Sequence, residues 1–91
     1  LRVTSNAPGP RLLVTAGVHG NEFAPMAAAR RLVSNLGGRL TCGTLTVVPI
    51  VNEPAFLRAS RTGDDCLDLA RTCPGRSDGS PTECIAAELS E

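Results

Sequence analysis

The sequence predicts an α/β fold: a partial sheet with a parallel βαβ unit, flanked by helices. Three stretches carry this reading. Residues 12–16 are apolar at nearly every position, the pattern of a strand buried on both faces of a parallel sheet. Residues 22–36 place Phe23, Met26, Ala29, Leu32, Val33 and Leu36 on one helical stripe, with Arg30, Arg31, Ser34 and Asn35 opposite. Residues 44–51 are a second apolar run rich in β-branched side chains. A strand, helix and strand in this order cross over right-handed in nearly all known cases, so the sheet is at least partly parallel.

Taken in order, Arg2-Val3-Thr4 reads as the end of a strand, and the Pro/Gly cluster of residues 5–10 turns the chain into the strand at 12–16. Asn21 suits the N-cap of the helix that follows. Pro25 is tolerated because it lies in or next to the first turn, and Gly37-Gly38 ends the helix. Pro49 stands near the end of the strand at 44–51. A short helical turn fits residues 53–59. From residue 61 to 71 charge is dense and periodicity weak, the pattern of a loop facing either solvent or a ligand. Pro74-Gly75 and Asp78-Gly79 are turns. Ser80-Pro81-Thr82-Glu83 is a capping box with proline at the first helical position, and Cys84, Ile85, Ala86, Ala87 and Leu89 supply the helix behind it.

Composition narrows the function. Nine basic residues, all arginine, balance nine acidic ones, leaving no field to draw in nucleic acid or an anionic membrane surface. Phe23 and Phe56 are the only aromatic side chains, so base-stacking platforms are also absent. No apolar run reaches the ~18–20 residues of a membrane span and no basic, then apolar, leader opens the chain, which suggests a cytoplasmic protein. Cys42, Cys66, Cys73 and Cys84 contain no C-x-x-C pair and read as reduced thiols. A chain of 91 residues has no room for a large core.

The chemistry concentrates after the first long strand, at Gly17-Val18-His19-Gly20-Asn21-Glu22, which contains the only histidine. The H-x-x-E spacing across a turn lets the imidazole and the carboxylate point into one small volume. A divalent zinc ion takes such nitrogen and oxygen donors at roughly 2.0–2.2 Å, and a catalytic zinc has three protein ligands plus water. By spacing alone, a hydrogen-bonded structural histidine is the commoner reading, and the rest of the chain has to decide. Ligands of open parallel sheets bind beyond the carboxyl ends of the strands. His19 follows the first strand there and Asn52 follows the second, so both converge on one edge.

Several stretches in fixed order resemble the succinylglutamate desuccinylase/aspartoacylase family: residues 16–22, then Val48-Pro49-Ile50-Val51-Asn52-Glu53-Pro54-Ala55-Phe56, then Asp68-Leu69-Ala70-Arg71 with Pro74-Gly75, then Asp78-Gly79-Ser80-Pro81-Thr82-Glu83. The resemblance covers most of residues 8–90. It implies a zinc carboxypeptidase-like fold, here incomplete, and a mononuclear zinc amidohydrolase that removes an acyl group from an N-acyl amino acid or similar small amide. His19 and Glu22 match the family's first two zinc ligands. Arg61 matches an arginine that helps stabilise the oxyanion, with Arg58 a rival because this loop is about one residue short. Arg71 matches the arginine that clamps a substrate carboxylate, and Asn52 the asparagine that lines the pocket. Ala70 stands where the family usually has asparagine, so part of the substrate grip is altered.

The resemblance also implies a third zinc ligand, a histidine, and a general-base glutamate further along than Glu91. Residues 1–91 are accordingly expected to form the N-terminal part of a single deacylase domain, cut at both ends and inactive alone. Two other readings share the same residues: a zinc carboxypeptidase acting on peptides, and a non-catalytic α/β piece. The oligomeric state is not legible from the sequence.

Overall fold

The computed structural model describes all residues from Leu1 to Glu91. Strands β1 (Arg2–Thr4), β2 (Arg11–Thr15) and β3 (Thr44–Val48) form one sheet in the order β1-β3-β2. Central β3 runs antiparallel to β1 and parallel to β2, with Leu12 opposite Leu45 and Val14 opposite Val47. Helix α1 (Phe23–Leu36) makes the crossover between the two parallel strands. Three short helices follow: α2 (Glu53–Leu57), α3 (Leu69–Thr72) and α4 (Pro81–Ser90).

Strand side chains alternate between faces, so Leu45 and Val47 project to the same side of β3. There they pack with Ala16 and with Ala29 of α1, and Val14, Val33, Leu36 and Leu40 close around them. This is a thin core under one helix. Fourteen of 91 residues are buried, and the molecule measures 42 × 26 × 15 Å, a slab of the kind that one sheet and one helix layer make. No helix is long and apolar enough to cross a membrane. The four cysteines are free.

The structure corrects several expectations. Within residues 1–91, β2 is not buried on both faces. It has a single neighbouring strand and lies at the edge of the sheet, and Leu12 and Leu13 are 60% and 54% exposed. The helical stripe is narrower than its spacing suggests: Met26 and Ala29 are buried, whereas Phe23 is 53% exposed and reaches instead an edge-to-face contact with Phe56 at 6.2 Å. α1 begins at Phe23, and Glu22 rather than Asn21 is its N-cap, without a side-chain hydrogen bond, because the Glu22 carboxylate is turned toward His19. β3 ends at Val48, just before Pro49, which has no N–H to donate. α2 stops at Leu57, and Ala59 takes a left-handed φ of 50°. The charged stretch at 61–71, read as a loop, contains the start of α3, nucleated where Asp68 accepts the Ala70 N–H at 3.0 Å. The capping box at α4 forms as expected, with the Ser80 N–H donating to Glu83 at 2.8 Å and Pro81 in the first turn.

Past Val48 the chain stays tied to the end of β2. The Val51 N–H donates to Ala16 O at 3.0 Å and the Asn52 N–H to Gly17 O at 3.1 Å. Gly17 adopts φ +68°, a region that side chains disfavour. At Gly20 the reason for glycine is space, since a Cβ there would overlap the backbone of Ala55. The turn after β2 therefore lies directly against α2.

Substitutions at two positions test this packing and the backbone conformation of the loop beyond α2. Gly20→Ala is expected to destabilise the protein by about 1–3 kcal/mol in urea denaturation, the cost of forcing a methyl into filled space; an unchanged midpoint would contradict the close approach. Cys66 holds φ +58°, so Cys66→Gly is expected to be neutral or to stabilise by up to about 1 kcal/mol, while Cys66→Val lowers the midpoint.

Candidate active site

Two strand ends and one loop converge on His19. The turn after β2 presents His19, whose Nδ1 lies 3.0 Å from Glu22 Oε1 and whose Nε2 lies 2.9 Å from Asp68 Oδ1. Asp68 comes from the loop before α3. Its second oxygen accepts a hydrogen bond from Arg61 Nη2 at 3.0 Å. The result is a chain of charges, Glu22–His19–Asp68–Arg61, in which the imidazole is 12% exposed while Glu22 is 49% and Arg61 54% exposed. The carboxylate and the guanidinium face solvent on either side of a sheltered ring.

Asn52 sits beneath this chain. It is fully buried, its Oδ1 accepts the Ala55 N–H at 3.3 Å, and its Nδ2 donates to Val18 O at 3.2 Å. Both ends of the amide are thus taken up by backbone. Asn52 caps α2 and holds the residue before His19 in place. Arg71 lies on α3, three residues beyond Asp68, exposed and without an ion-pair partner. Arg58 is paired with Asp64 at the surface, away from the His19 chain. Of the two arginines that the sequence leaves as rivals, Arg61 is the one linked to His19 through Asp68.

The protonation states follow from these contacts. The hydrogen bond to Asp68 is the strongest influence on His19 and raises its pKa above 6.5; burial opposes it and Glu22 adds to the rise. The same bond, with help from Arg61 and the Ala70 N–H, holds Asp68 down to about 2 against the opposing effect of burial. Asp68 is therefore ionised at neutral pH and favours a proton on Nε2, while Nδ1 faces the Glu22 carboxylate. Asp68 in this role is what sequence reasoning missed. It stands 49 positions from His19, and the only local signal at that position is an aspartate suited to start a helix.

The site makes stability depend on pH in two windows. Asp68 and Asp65 both sit near 2 in the folded protein against an ordinary 3.8. The unfolded chain takes up these protons first, so their contribution is present above about pH 4 and is lost as pH falls through 2. The raised pKa of His19 works the other way, adding stability below 6.5 that is lost as pH rises through the raised value. Urea midpoints should fall between pH 5 and pH 2.5, and Asp68→Asn should flatten that fall. A slope that Asp68→Asn leaves untouched would show that the carboxylate is not held this way.

A family model described as the succinylglutamate desuccinylase/aspartoacylase catalytic domain matches residues 8–91. The chain is 39% identical over 85 residues to N-alpha-acetyl-L-2,4-diaminobutyric acid deacetylase of Halomonas elongata, an alignment spanning 92% of this chain and 25% of that protein. It is 38% identical over 84 residues to succinylglutamate desuccinylase of Pseudomonas paraeruginosa, covering 89% of this chain and 25% of the relative. The crystal structure of an aspartoacylase family protein from Mesorhizobium loti superposes with a TM-score of 0.89 at 41% identity, over 98% of this chain and 28% of that one. The chain thus spans about a quarter of the length of the curated relatives it matches. Its small sheet and helices have the zinc carboxypeptidase-like fold of these neighbours. From a match that runs over residues 8–91, and from a backbone that follows the solved relative almost throughout, the chain belongs to the succinylglutamate desuccinylase/aspartoacylase family.

Proposed function

We propose that this chain contributes part of the active site of a zinc-dependent deacylase, which hydrolyses the amide bond of an N-acyl amino acid or a related small amide. The observation that carries the reading is the His19–Glu22 pair with Asp68 on the far ring nitrogen. Relatives named as a deacetylase of N-acetyl-diaminobutyric acid and as a succinylglutamate desuccinylase support the reaction class.

The donor set suits zinc. Two donors at ~2.1 Å from one tetrahedral ion stand ~3.4 Å apart, and His19 Nδ1 and Glu22 Oε1, at 3.0 Å, are a few tenths of an ångström from that spacing. A carboxylate behind the ligating imidazole fixes its orientation and raises its basicity, the place that Asp68 occupies. Only two of the three protein ligands are available here: no group of three His, Cys, Asp or Glu stands close enough to hold an ion, and His19 is the only histidine. On the family pattern, a histidine and a glutamate outside residues 1–91 would supply the third ligand and the general base.

Bound zinc supplies a polarised amide carbonyl and a water acidic enough to ionise near neutral pH. The residues of this chain do the rest. His19 gives up the proton on Nδ1 and keeps the one on Nε2, held by Asp68. Arg61, anchored through one nitrogen to Asp68, has the remainder of its guanidinium free to stabilise negative charge on the carbonyl oxygen. Arg71, unpaired and exposed on α3, offers the planar two-pronged donor that fits a substrate carboxylate. Asn52 contributes by fixing the turn that carries His19.

Because a proton competes for Nδ1, zinc affinity should weaken as pH drops through the raised pKa of His19. Calorimetric titration at pH 8 and pH 6 reads this directly. Asp68→Asn is expected to weaken zinc by about 10–100-fold, and His19→Ala to abolish it. The 91-residue chain alone should bind zinc weakly and turn over nothing; tight one-to-one binding by it would overturn the two-of-three assignment. In the full-length protein, N-acyl amino acids should be hydrolysed, and cleavage of peptides alone would favour a carboxypeptidase instead.

A further inference from the structure

We propose that Asp65 is a positioning residue for this site: it braces the loop from Arg61 to Asp68 on the N-terminal turn of α4, so that α4 sets where the Arg61–Asp68 pair stands. For the chemistry that the loop serves, this rests on the function proposed above. For the bracing itself it does not.

The loop needs such a support. Between the end of α2 and the start of α3 the chain has no regular structure and takes left-handed backbone at Ala59 and Cys66. Yet its last residue must deliver a carboxylate to His19 at 2.9 Å and its first must reach that carboxylate at 3.0 Å. Asp65 lies between them and is filled with donors. Its Oδ2 accepts the Ser80 hydroxyl at 2.7 Å and the Thr82 N–H at 2.9 Å; its Oδ1 accepts the Thr82 hydroxyl at 2.8 Å and the Leu67 N–H at 3.3 Å. Three of the four come from the first turn of α4, where an anion is favoured by the helix dipole and by free N–H groups. Thr82 is 1% exposed, so its hydroxyl has no water to turn to. The same contacts hold Asp65 at about 2, against burial, which alone would raise it. The fourth donor, the Leu67 N–H, is one residue from Asp68. Asp65 is therefore joined to the rigid helix on one side and to the catalytic loop on the other, without touching His19 or the open face of the site.

Thr82→Val keeps the side-chain volume and removes the hydroxyl; Thr82→Ser restores it. In the full-length protein, Thr82→Val should speed hydrogen exchange of the Leu67 and Ala70 N–H groups about tenfold and leave the Val51 N–H, bonded to Ala16, unchanged. With zinc content unaltered, kcat for an N-acyl amino acid should fall about tenfold while KM stays within about twofold, and Thr82→Ser should recover both readouts. Asp65→Asn, which turns a donor toward the α4 N–H groups, should resemble Thr82→Val. Unchanged exchange at Leu67 and Ala70 in Thr82→Val and Asp65→Asn would overturn the proposal. So would general loosening that includes Val51 with normal kcat per folded molecule. Faster exchange confined to the loop, in a protein that hydrolyses no amide even before mutation, would support the bracing and reject the proposed function.

Discussion

The carboxylate of Asp68 is the contact on which the site depends. It receives His19 Nε2, Arg61 Nη2 and the Ala70 N–H, and so joins the turn after β2, the loop after α2 and the first turn of α3. Each partner alone is an ordinary hydrogen bond at a partly exposed position. Together they keep Asp68 ionised down to about pH 2, and an ionised Asp68 favours a proton on His19 Nε2. The electronic state of the ring and the placement of the arginine are thus set by a single group. In this respect the site is built from its outer side inward: the sheltered contact fixes the ring, and the ring presents Nδ1 to Glu22 and to solvent.

The sheet makes this possible by bringing two strand ends together. β2 and β3 run parallel, and backbone hydrogen bonds from Val51 and Asn52 continue the pairing past Pro49 as far as Gly17. His19 and α2 are then neighbours by construction. Small residues keep them close: Gly17 in a left-handed conformation, and Gly20 against the Ala55 backbone. Asn52 closes the gap between them, its amide divided between the α2 N-terminus and Val18. A buried polar side chain with both ends satisfied adds rigidity to the turn without a desolvation penalty left unmatched.

The arrangement also separates two kinds of surface. Around His19 the exposed groups are charged, whereas β2 exposes Leu12 and Leu13. The chain has the backbone of its solved relatives across nearly its full length but only about a quarter of theirs. Its residues bring together an imidazole, two carboxylates and the Arg61 guanidinium in one hydrogen-bonded chain.

What the sequence by itself determined is local and periodic. The parallel βαβ unit, the capping box at Ser80–Glu83, the glycine turn carrying His19 and Glu22, and the edge of the sheet on which they sit all follow from patterns a few residues long, because dihedral preferences and side-chain periodicity act at that range. Tertiary structure decided what spacing does not encode. The apolar run of β2 looked buried, but burial depends on which elements pack against a strand, and here only one strand and one helix layer do. Asp68 and Asp65 looked like members of a solvated charged loop; their roles arise from partners 49 and 15–17 positions away. Arg58 and Arg61, alike in the sequence, are separated only by their partners, since Asp64 takes one guanidinium and Asp68 the other. Long-range polar contacts leave no period in the chain, and they are what turned a histidine and a glutamate three residues apart into an oriented site.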